Sequence, residues 1–106
     1  MPEAISPKTL SSSDEDRVLI DVRKRPARAA AAETIPGSVY RSPFSADQWW
    51  REFEGRAVAV FCVHGHEVSR AVCGFLGDQG IDARYLEGGF AAWKSTGLPV
   101  AAISEG

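Results

Sequence analysis

Three kinds of reactive side chain lie close together near the middle of the chain: the thiol of Cys62, the imidazoles of His64 and His66, and the carboxylate of Glu67. A cysteine attacks as its thiolate rather than as its thiol, so its surroundings decide its reactivity. Gly65 separates the two histidines, and a glycine lets a loop adopt a positive φ angle and close around a small ligand. This stretch is therefore a candidate site for nucleophilic chemistry on a small substrate.

The residues on either side of Cys62 predict how it is positioned. An unbroken apolar run, 57–61, comes directly before it, and such runs are typical of a parallel strand covered on both faces. A helical pattern begins at about Val68. Backbone N–H groups at the start of a helix carry partial positive charge and stabilise an anion. We therefore expect Cys62 to lie between a buried strand and a helix, and to react as a thiolate.

The helix after the site has a clear apolar stripe. Its members follow the i, i+4, i+7, i+8 spacing of a buried helix face: Val68, Val72, Phe75 and Leu76. Gly80 is predicted to end this helix in the left-handed conformation, with Ile81 placed against Leu76 as in a Schellman motif. Cys73 lies beside the stripe and is interpreted as a small core residue. The alternative is a resolving cysteine that traps oxidised Cys62.

Strand and helix patterns alternate along the rest of the chain. Strands are predicted at 18–23, 38–40 and 83–86. Helices are predicted from Ser6-Pro7, over 45–53 and over 90–96, and 24–33 admits a short helical turn. The alternation predicts an α/β fold with a mostly parallel central sheet flanked by helices on both faces. In such sheets ligands lie at the carboxyl ends of strands, where Cys62 is expected.

Several local signals refine this outline. Ser45 and Gln48 fit a capping box, and Phe44 is predicted to pack on Trp49 as a hydrophobic staple. Trp49 and Phe53 are interpreted as core residues. The polar run 11–16 predicts a solvated surface loop. We expect one domain over 1–106, with a core at about 5–99 and a loose tail over 101–106.

Composition excludes several classes of protein. The chain has 106 residues, of which 44% are hydrophobic and 25% charged, and this is typical of one packed domain. A net charge of -2 argues against a nucleic-acid partner or a polybasic contact with a membrane. No run is long enough to span a bilayer. Two cysteines make no disulfide framework, and no export signal begins the chain, so free thiols in the cytoplasm are expected.

Four segments, taken in order, resemble a single-domain rhodanese, a sulfurtransferase. They are LIDVR at 19–23, IPGS at 35–38, the Cys62 region at 62–71, and LEGGFAAW at 86–93. The resemblance implies that Cys62 takes a sulfane sulfur from thiosulfate or from a persulfide and holds it as a persulfide. Cyanide, a thiol or a protein acceptor then collects the sulfur. The resemblance implies no cofactor and no metal.

The resemblance also implies a set of site residues. The substrate-binding loop consists of Val63, His64, Gly65, His66, Glu67 and Val68, whose N–H groups would form a cradle for the anionic donor. Asp21 and Arg23 are interpreted as a structural pair that bonds the neighbouring loops, and Arg70 is a further supporting residue. Thr34 stands where the family usually has a histidine, at a position that we interpret as a structural hydrogen-bonding one.

Glu67 departs from the family pattern, because many members have arginine, lysine or threonine there. A carboxylate beside the persulfide would repel an anionic donor. His64 and His66, if protonated, or Arg70 could offset this repulsion, although Arg70 could simply pair with Glu67. The donor is therefore left open between thiosulfate, a thiol-bound persulfide and a protein donor. A metal site made of Cys62 and the two histidines is disfavoured, because no fourth ligand has a recognised spacing.

Two other functions remain as alternatives. A cysteine phosphatase or arsenate reductase needs an arginine six positions after the cysteine, but Val68 stands there and Arg70 comes eight after. A rhodanese-like module without catalytic activity would bind a partner, sense redox state or act in oxyanion stress. The sequence also leaves open whether Arg28 or Arg41 reaches the pocket.

Overall fold

The structure is a computed structural model that describes residues 2–12 and 16–103. Its strands are β1 (Glu3–Ile5), β2 (Val18–Asp21), β3 (Glu33–Thr34), β4 (Val39–Tyr40), β5 (Ala57–Phe61), β6 (Asp82–Leu86) and β7 (Ala101–Ala102). Its helices are α1 (Pro7–Ser12), α2 (Arg25–Ala31), α3 (Ala46–Trp49), α4 (Glu67–Asp78) and α5 (Gly89–Ser95). None of the described helices is both long enough and apolar enough to cross a membrane.

The central sheet places β5 in the middle. Five strands pair in the order β1-β6-β5-β2-β4, and every pairing between them is parallel. The apolar run that predicts β5 is buried from Val58 to Phe61, because the strand has a neighbour on each edge and a layer on each face. The carboxyl end of β5 therefore faces the same edge of the sheet as the ends of β2 and β6.

Helices cover both faces of this sheet. On one face, α3 and α4 contribute Trp49 and Leu76 to a core that includes Val58 and Val60 of β5. On the other face, α5 contributes Phe90 and Trp93 to a second core, and Leu10 of α1 packs against it. The α/β fold with a parallel sheet flanked on both faces is thus confirmed.

The predicted ending of α4 is confirmed in detail. Gly80 has φ +87°, and its N–H donates to the carbonyl of Gly77 at 2.9 Å. The N–H of Ile81 donates to the carbonyl of Leu76 at 3.1 Å. These two bonds are the pair that defines a Schellman motif, so they satisfy carbonyls that the helix end leaves free.

The predicted helix over 45–53 is shorter and differently capped. Its α-helical part ends at Trp49 and continues as a 3₁₀ turn over Trp50–Phe53. The capping-box prediction is wrong, because Ser45 makes no side-chain capping bond. The staple prediction is also wrong, since Phe44 is 78% exposed. Trp49 and Phe53 are core residues as predicted, with their rings edge to face at 5.7 Å.

Both ends of the chain differ from the predictions. The sequence analysis missed β1, an edge strand of three residues with only Ile5 buried, which has too little alternation to give a signal. The prediction of a loose tail is wrong for β7, which pairs antiparallel with β3, and for Ile103, whose N–H donates to the carbonyl of Ala32. Residues 104–106 lie outside the described residues. In the run 11–16, residues 11 and 12 belong to α1 rather than a loop, and 13–15 lie outside the described residues.

Candidate functional site

Cys62 is the first residue after β5, and only 7% of its surface is exposed. The chain then passes through four residues, 63–66, which we call the Cys62 loop, and enters α4 at Glu67. The nucleophile is therefore fixed by a buried strand on one side and a helix on the other, as the sequence predicts.

The Cys62 loop is tied to the start of α5. The N–H of Phe90 donates to the carbonyl of Cys62 at 2.8 Å, and the N–H of Ala91 donates to the carbonyl of Val63 at 2.9 Å. These bonds use N–H groups that the first turn of a helix cannot satisfy internally. The start of α5, just after β6, thus holds the Cys62 loop in place.

Two glycines permit this close contact. Gly65 has φ +72°, and a Cβ atom there would lie 2.7 Å from the carbonyl oxygen of Leu86. Gly89 has φ +64°, and a Cβ atom there would lie 2.5 Å from the carbonyl oxygen of Cys62. Both positions therefore require glycine, for conformation and for space. The sequence pattern predicts this role for Gly65 but not for Gly89.

The backbone of the loop can bind an anion. Among the described residues, no hydrogen bond links the backbone N–H groups of residues 63–69 to an acceptor in the chain. These groups surround the end of β5, and those of Glu67, Val68 and Ser69 lie in the first turn of a 12-residue helix. Unpaired N–H groups at a helix start stabilise negative charge, so this end of β5 favours a thiolate and an anionic ligand.

Ser69 is the polar neighbour of the nucleophile that the sequence analysis missed. Its side chain is fully buried, and its Oγ lies 3.1 Å from the Sγ of Cys62. When the sulfur is a thiolate, the hydroxyl can donate to it. The signal for Ser69 is its place on the true buried face of α4, which consists of Ser69, Val72, Cys73 and Leu76. Of the predicted stripe, Val72 and Leu76 are fully in the core, and Val68 and Phe75 are half-buried and pack against it.

Beside Cys62 lies a cavity of about 410 Å³, which we call the Cys62 cavity. Its lining includes most of the predicted loop together with Arg23: Cys62, Val63, His64, His66, Glu67 and Val68. Lys24 and Ala27 also line it, and the sequence analysis missed both. They follow β2, the neighbour of β5 in the sheet, so their position at the same edge is the signal that could have found them.

Arg70 does not line the Cys62 cavity. Its Nε donates to the carbonyl of Gly65 at 3.2 Å, and its guanidinium lies 5.1 Å from the ring centre of Tyr85. It forms no ion pair with Glu67 among the described residues. Arg70 therefore supports the loop, and the positive side chains that line the cavity with Glu67 are Arg23 and Lys24.

Asp21 and Arg23 form a buried ion pair under the cavity, at 0% and 1% exposure. Arg23 Nη2 lies 2.8 Å from Asp21 Oδ2, and the same nitrogen donates to the carbonyl of Glu33 at 2.8 Å. Thr34 Oγ1 donates to Asp21 Oδ2 at 3.1 Å. The pair thus connects the end of β2 to β3, in line with the structural roles predicted for Asp21, Arg23 and Thr34.

The Arg23 guanidinium also touches both aromatic rings behind the nucleophile. Its Cζ lies 4.5 Å from the ring centre of Phe90 and 5.7 Å from that of Phe61. Phe61 immediately precedes Cys62, and Phe90 donates the hydrogen bond to its carbonyl. Arg23 therefore braces the strand end and the start of α5 together.

The other two arginines in question lie away from the Cys62 cavity. Arg28 Nε lies 3.0 Å from Asp21 Oδ2, with its guanidinium over the ring of Tyr40. Arg41 pairs with Glu52 at 2.6 Å, and its hydrogen bond holds the pKa of Glu52 below the usual value. Neither residue lines the cavity.

Cys73 lies on the buried face of α4, one helical turn after Ser69, and belongs to the core. Burial raises the pKa of its thiol, because the charged form is desolvated. Both cysteines are free. The rings of His64 and His66 are 6.5 Å apart, and among the described residues no group of three or more His, Cys, Asp or Glu side chains is placed to hold a metal ion.

Together, the parallel sheet and the Cys62 loop define an α/β protein with a buried cysteine, the candidate nucleophile, between the end of the central strand and a helix start with unpaired N–H groups. A family model for the rhodanese-like domain matches residues 6–96. The chain belongs to the rhodanese-like domain family.

Named relatives agree with this family. The chain is 30% identical over 84 residues to a thiosulfate sulfurtransferase, GlpE, of Pseudomonas syringae pv. syringae (strain B728a), which covers 78% of this chain and 77% of the relative. A rhodanese-related protein from Thermoplasma volcanium has a similar structure, with a TM-score of 0.82, 26% identity and coverage of 93% and 97%. A possible tyrosine phosphatase from Rhodopseudomonas palustris shares the fold, with a TM-score of 0.80, 23% identity and coverage of 94% and 85%.

Proposed function

We propose that this protein is a sulfurtransferase that carries a sulfane sulfur on Cys62. The observation that supports this most is the set of unpaired N–H groups over 63–69 around a thiol that also has the Ser69 hydroxyl at 3.1 Å. Such surroundings favour an anionic sulfur at two stages, first as the thiolate and then as the persulfide. The relative named as a thiosulfate sulfurtransferase supports the same chemistry.

The first half-reaction loads the enzyme. The Cys62 thiolate attacks the outer sulfur of thiosulfate, the S–S bond of the donor breaks, and sulfite leaves with the electron pair. A persulfide donor reacts in the same way, and its thiolate is then the leaving group. The N–H groups of the loop hold the negative charge of the donor and of the persulfide in place, which lowers the barrier without a cofactor.

The second half-reaction empties the enzyme. A thiolate or cyanide attacks the outer sulfur of the persulfide, the bond to the Cys62 sulfur breaks, and Cys62 is again a thiolate. The physiological acceptor is left open here between a small thiol and a protein thiol. Two free cysteines are typical of a protein in a reducing compartment, and we propose that this protein acts in the cytoplasm.

The local geometry favours sulfur transfer over phosphate hydrolysis. A cysteine phosphatase grips the phosphate with an arginine six residues after the nucleophile. Val68 occupies that position here, and the guanidinium of Arg70 is bonded to the carbonyl of Gly65. The cation needed to hold a phosphate is therefore absent from the loop among the described residues.

Intact-protein mass spectrometry tests the proposal. The wild type and Cys62→Ser are incubated briefly with thiosulfate, and separately with glutathione persulfide. We expect a gain of one sulfur atom in the wild type with at least one donor, and none in Cys62→Ser. Absence of any gain in folded wild type with both donors would contradict the proposal and favour a module without transferase activity. Turnover of an aryl phosphate that depends on Cys62 would favour the phosphatase alternative.

A further inference from the structure

A second cavity, of about 490 Å³, lies beside the Cys62 cavity between the turn before α3 and the outer side of α4. Its walls are mostly apolar, formed by Phe44, Ala46, Val68, Ala71, Val72 and Phe75. We call it the Phe44 groove. It contains the half-buried residues of α4 that the sequence pattern assigns to the core, so their apolar surface remains available to a ligand.

The Phe44 groove adjoins the Cys62 cavity. Lys24, Glu67 and Val68 line both. A molecule whose reacting sulfur lies at Cys62 can therefore place the rest of its body in the groove. The junction carries one cation and one carboxylate, so it does not strongly favour either sign of charge.

Hydrogen bonds to Ser42 fix the turn that carries Phe44. Its N–H donates to Ser42 Oγ at 3.2 Å, and Trp49 Nε1 donates to the carbonyl of Ser42 at 2.8 Å. It is the only large hydrophobic side chain that is exposed among the described residues, at 78%. Because the turn is already fixed, binding of a ligand over this ring costs little conformational entropy of the backbone. An exposed aromatic at the rim of an apolar cavity marks a binding surface.

We propose that the Phe44 groove binds the apolar body of an organic thiol, the acceptor that collects the sulfur from Cys62. This inference rests on the proposed sulfurtransferase function and names the acceptor class. Thiosulfate, sulfite and cyanide have no apolar part and need no such groove. The thiolate of the acceptor attacks the outer sulfur, the bond to Cys62 breaks, Cys62 leaves as a thiolate with the electron pair, and the product is an organic persulfide.

A pair of simple thiols tests the proposal. The wild type is loaded with sulfur, freed of the donor, and mixed with mercaptopropanol or mercaptohexanol, and loss of the extra sulfur is followed by mass. The two thiols have similar acidity, so a difference in rate reports binding of the chain. Each fully buried methylene favours binding by about fourfold. We expect the three additional methylenes of mercaptohexanol to increase the rate at least about tenfold at subsaturating thiol.

Phe44→Ala connects the preference to the groove. Because the side chain is exposed, its removal should leave the fold intact. We expect it to cut the chain-length preference to a few-fold, because it lowers the rate with mercaptohexanol more than the rate with mercaptopropanol. Val100→Ala is the matched control, since it removes apolar surface near the α5 core on the opposite face and should keep the full preference. Equal rates for the two thiols, or a preference that Phe44→Ala leaves intact, would overturn the proposal.

A second measurement reports on the groove without sulfur transfer. Propyl and hexyl methanethiosulfonates convert a thiolate to a mixed disulfide and release methanesulfinate, so their rates with unloaded Cys62 carry the same chain-length information. We expect a similar preference for hexyl, and its loss in Phe44→Ala. If Cys62 takes up no sulfur from any donor, the proposed function fails, and this measurement alone decides whether the groove binds an apolar chain beside Cys62.

Discussion

Replacing Ser69 with alanine should slow the nucleophile while leaving the fold nearly unchanged. Among the described residues, the 3.1 Å contact between Ser69 Oγ and Cys62 Sγ is the only hydrogen bond of the Ser69 side chain. A hydrogen bond between a hydroxyl and a thiol sulfur is weak, so its loss costs at most about 1 kcal/mol of folding free energy. In the reacting protein the partner is a thiolate, and a hydrogen bond to a charged group contributes about 1.5–3 kcal/mol.

The expected change in rate follows from these energies. A loss of about 1.5–3 kcal/mol in the stabilisation of the reacting thiolate would by itself slow the reaction about tenfold to a hundredfold. A less stabilised thiolate is a stronger nucleophile, which recovers about half of that loss on a logarithmic scale. We therefore expect both alkylation of Cys62 by iodoacetamide at pH 7 and persulfide formation from thiosulfate to slow about threefold to tenfold.

Ser95→Ala is the matched control for this experiment. Its hydroxyl donates to the carbonyl of Ala92 on the exposed side of α5, far from the thiol, so the same chemical change should leave both rates unaltered. Thermal unfolding of Ser69→Ala should shift by less than about 8 °C. If folded Ser69→Ala reacts at the rate of the wild type, Ser69 does not stabilise the thiolate and the reasoning is refuted.

Three further predictions concern the loop, its charge and the second cysteine. Gly89→Ala should destabilise the fold several times more than Gly97→Ala, as measured by urea unfolding. A Cβ at position 89 would lie within 2.6 Å of three backbone atoms, whereas one at position 97 has no atom within 4 Å. Equal losses of stability would refute the packing argument. Glu67→Gln should raise the rate with thiosulfate about threefold at low salt, and less at high salt, whereas Asp78→Asn at the far end of α4 should not. A brief iodoacetamide pulse at neutral pH should leave Cys73 unmodified, since burial raises its pKa, and peptide mapping that finds both cysteines labelled equally would contradict this.

The sequence predicts the centre of the fold better than its edges, for a physical reason. Val58 to Phe61 are buried on both faces, so nearly every position of β5 must be apolar and the strand is visible in the pattern. β1 and β7 have three and two residues and depend on partners distant in the chain, β6 and β3. Their stability comes from pairing rather than local preference, and a local pattern does not report it.

The same difference applies to the site. Cys62, Gly65 and the helix start are local features of one segment, and the sequence predicts them together. Lys24 reaches the site because it follows β2, which lies next to β5 in the sheet. Ser69 reaches it because the buried face of α4 is rotated by about one residue from the face that the spacing predicts. The predicted staple on Phe44 fails in a turn built on Ser42, whose Oγ accepts from the N–H of Phe44 and whose carbonyl accepts from Trp49 Nε1 and from the N–H of Ser45. In this turn the Phe44 ring is 78% exposed.

The charged side chains that line the Cys62 cavity determine how an anionic donor would bind beside Cys62. Arg23 lines the Cys62 cavity, and Asp21 offsets its positive charge only in part, because Arg28 pairs with the same carboxylate. Glu67 at the rim opposes an anion, and Lys24 on the other wall favours it. In the proposed reaction, these cations and the backbone N–H groups of the Cys62 loop, whose close packing requires Gly65 and Gly89, bind the sulfur donor. The proposed selectivity among acceptors then comes from the apolar walls of the Phe44 groove.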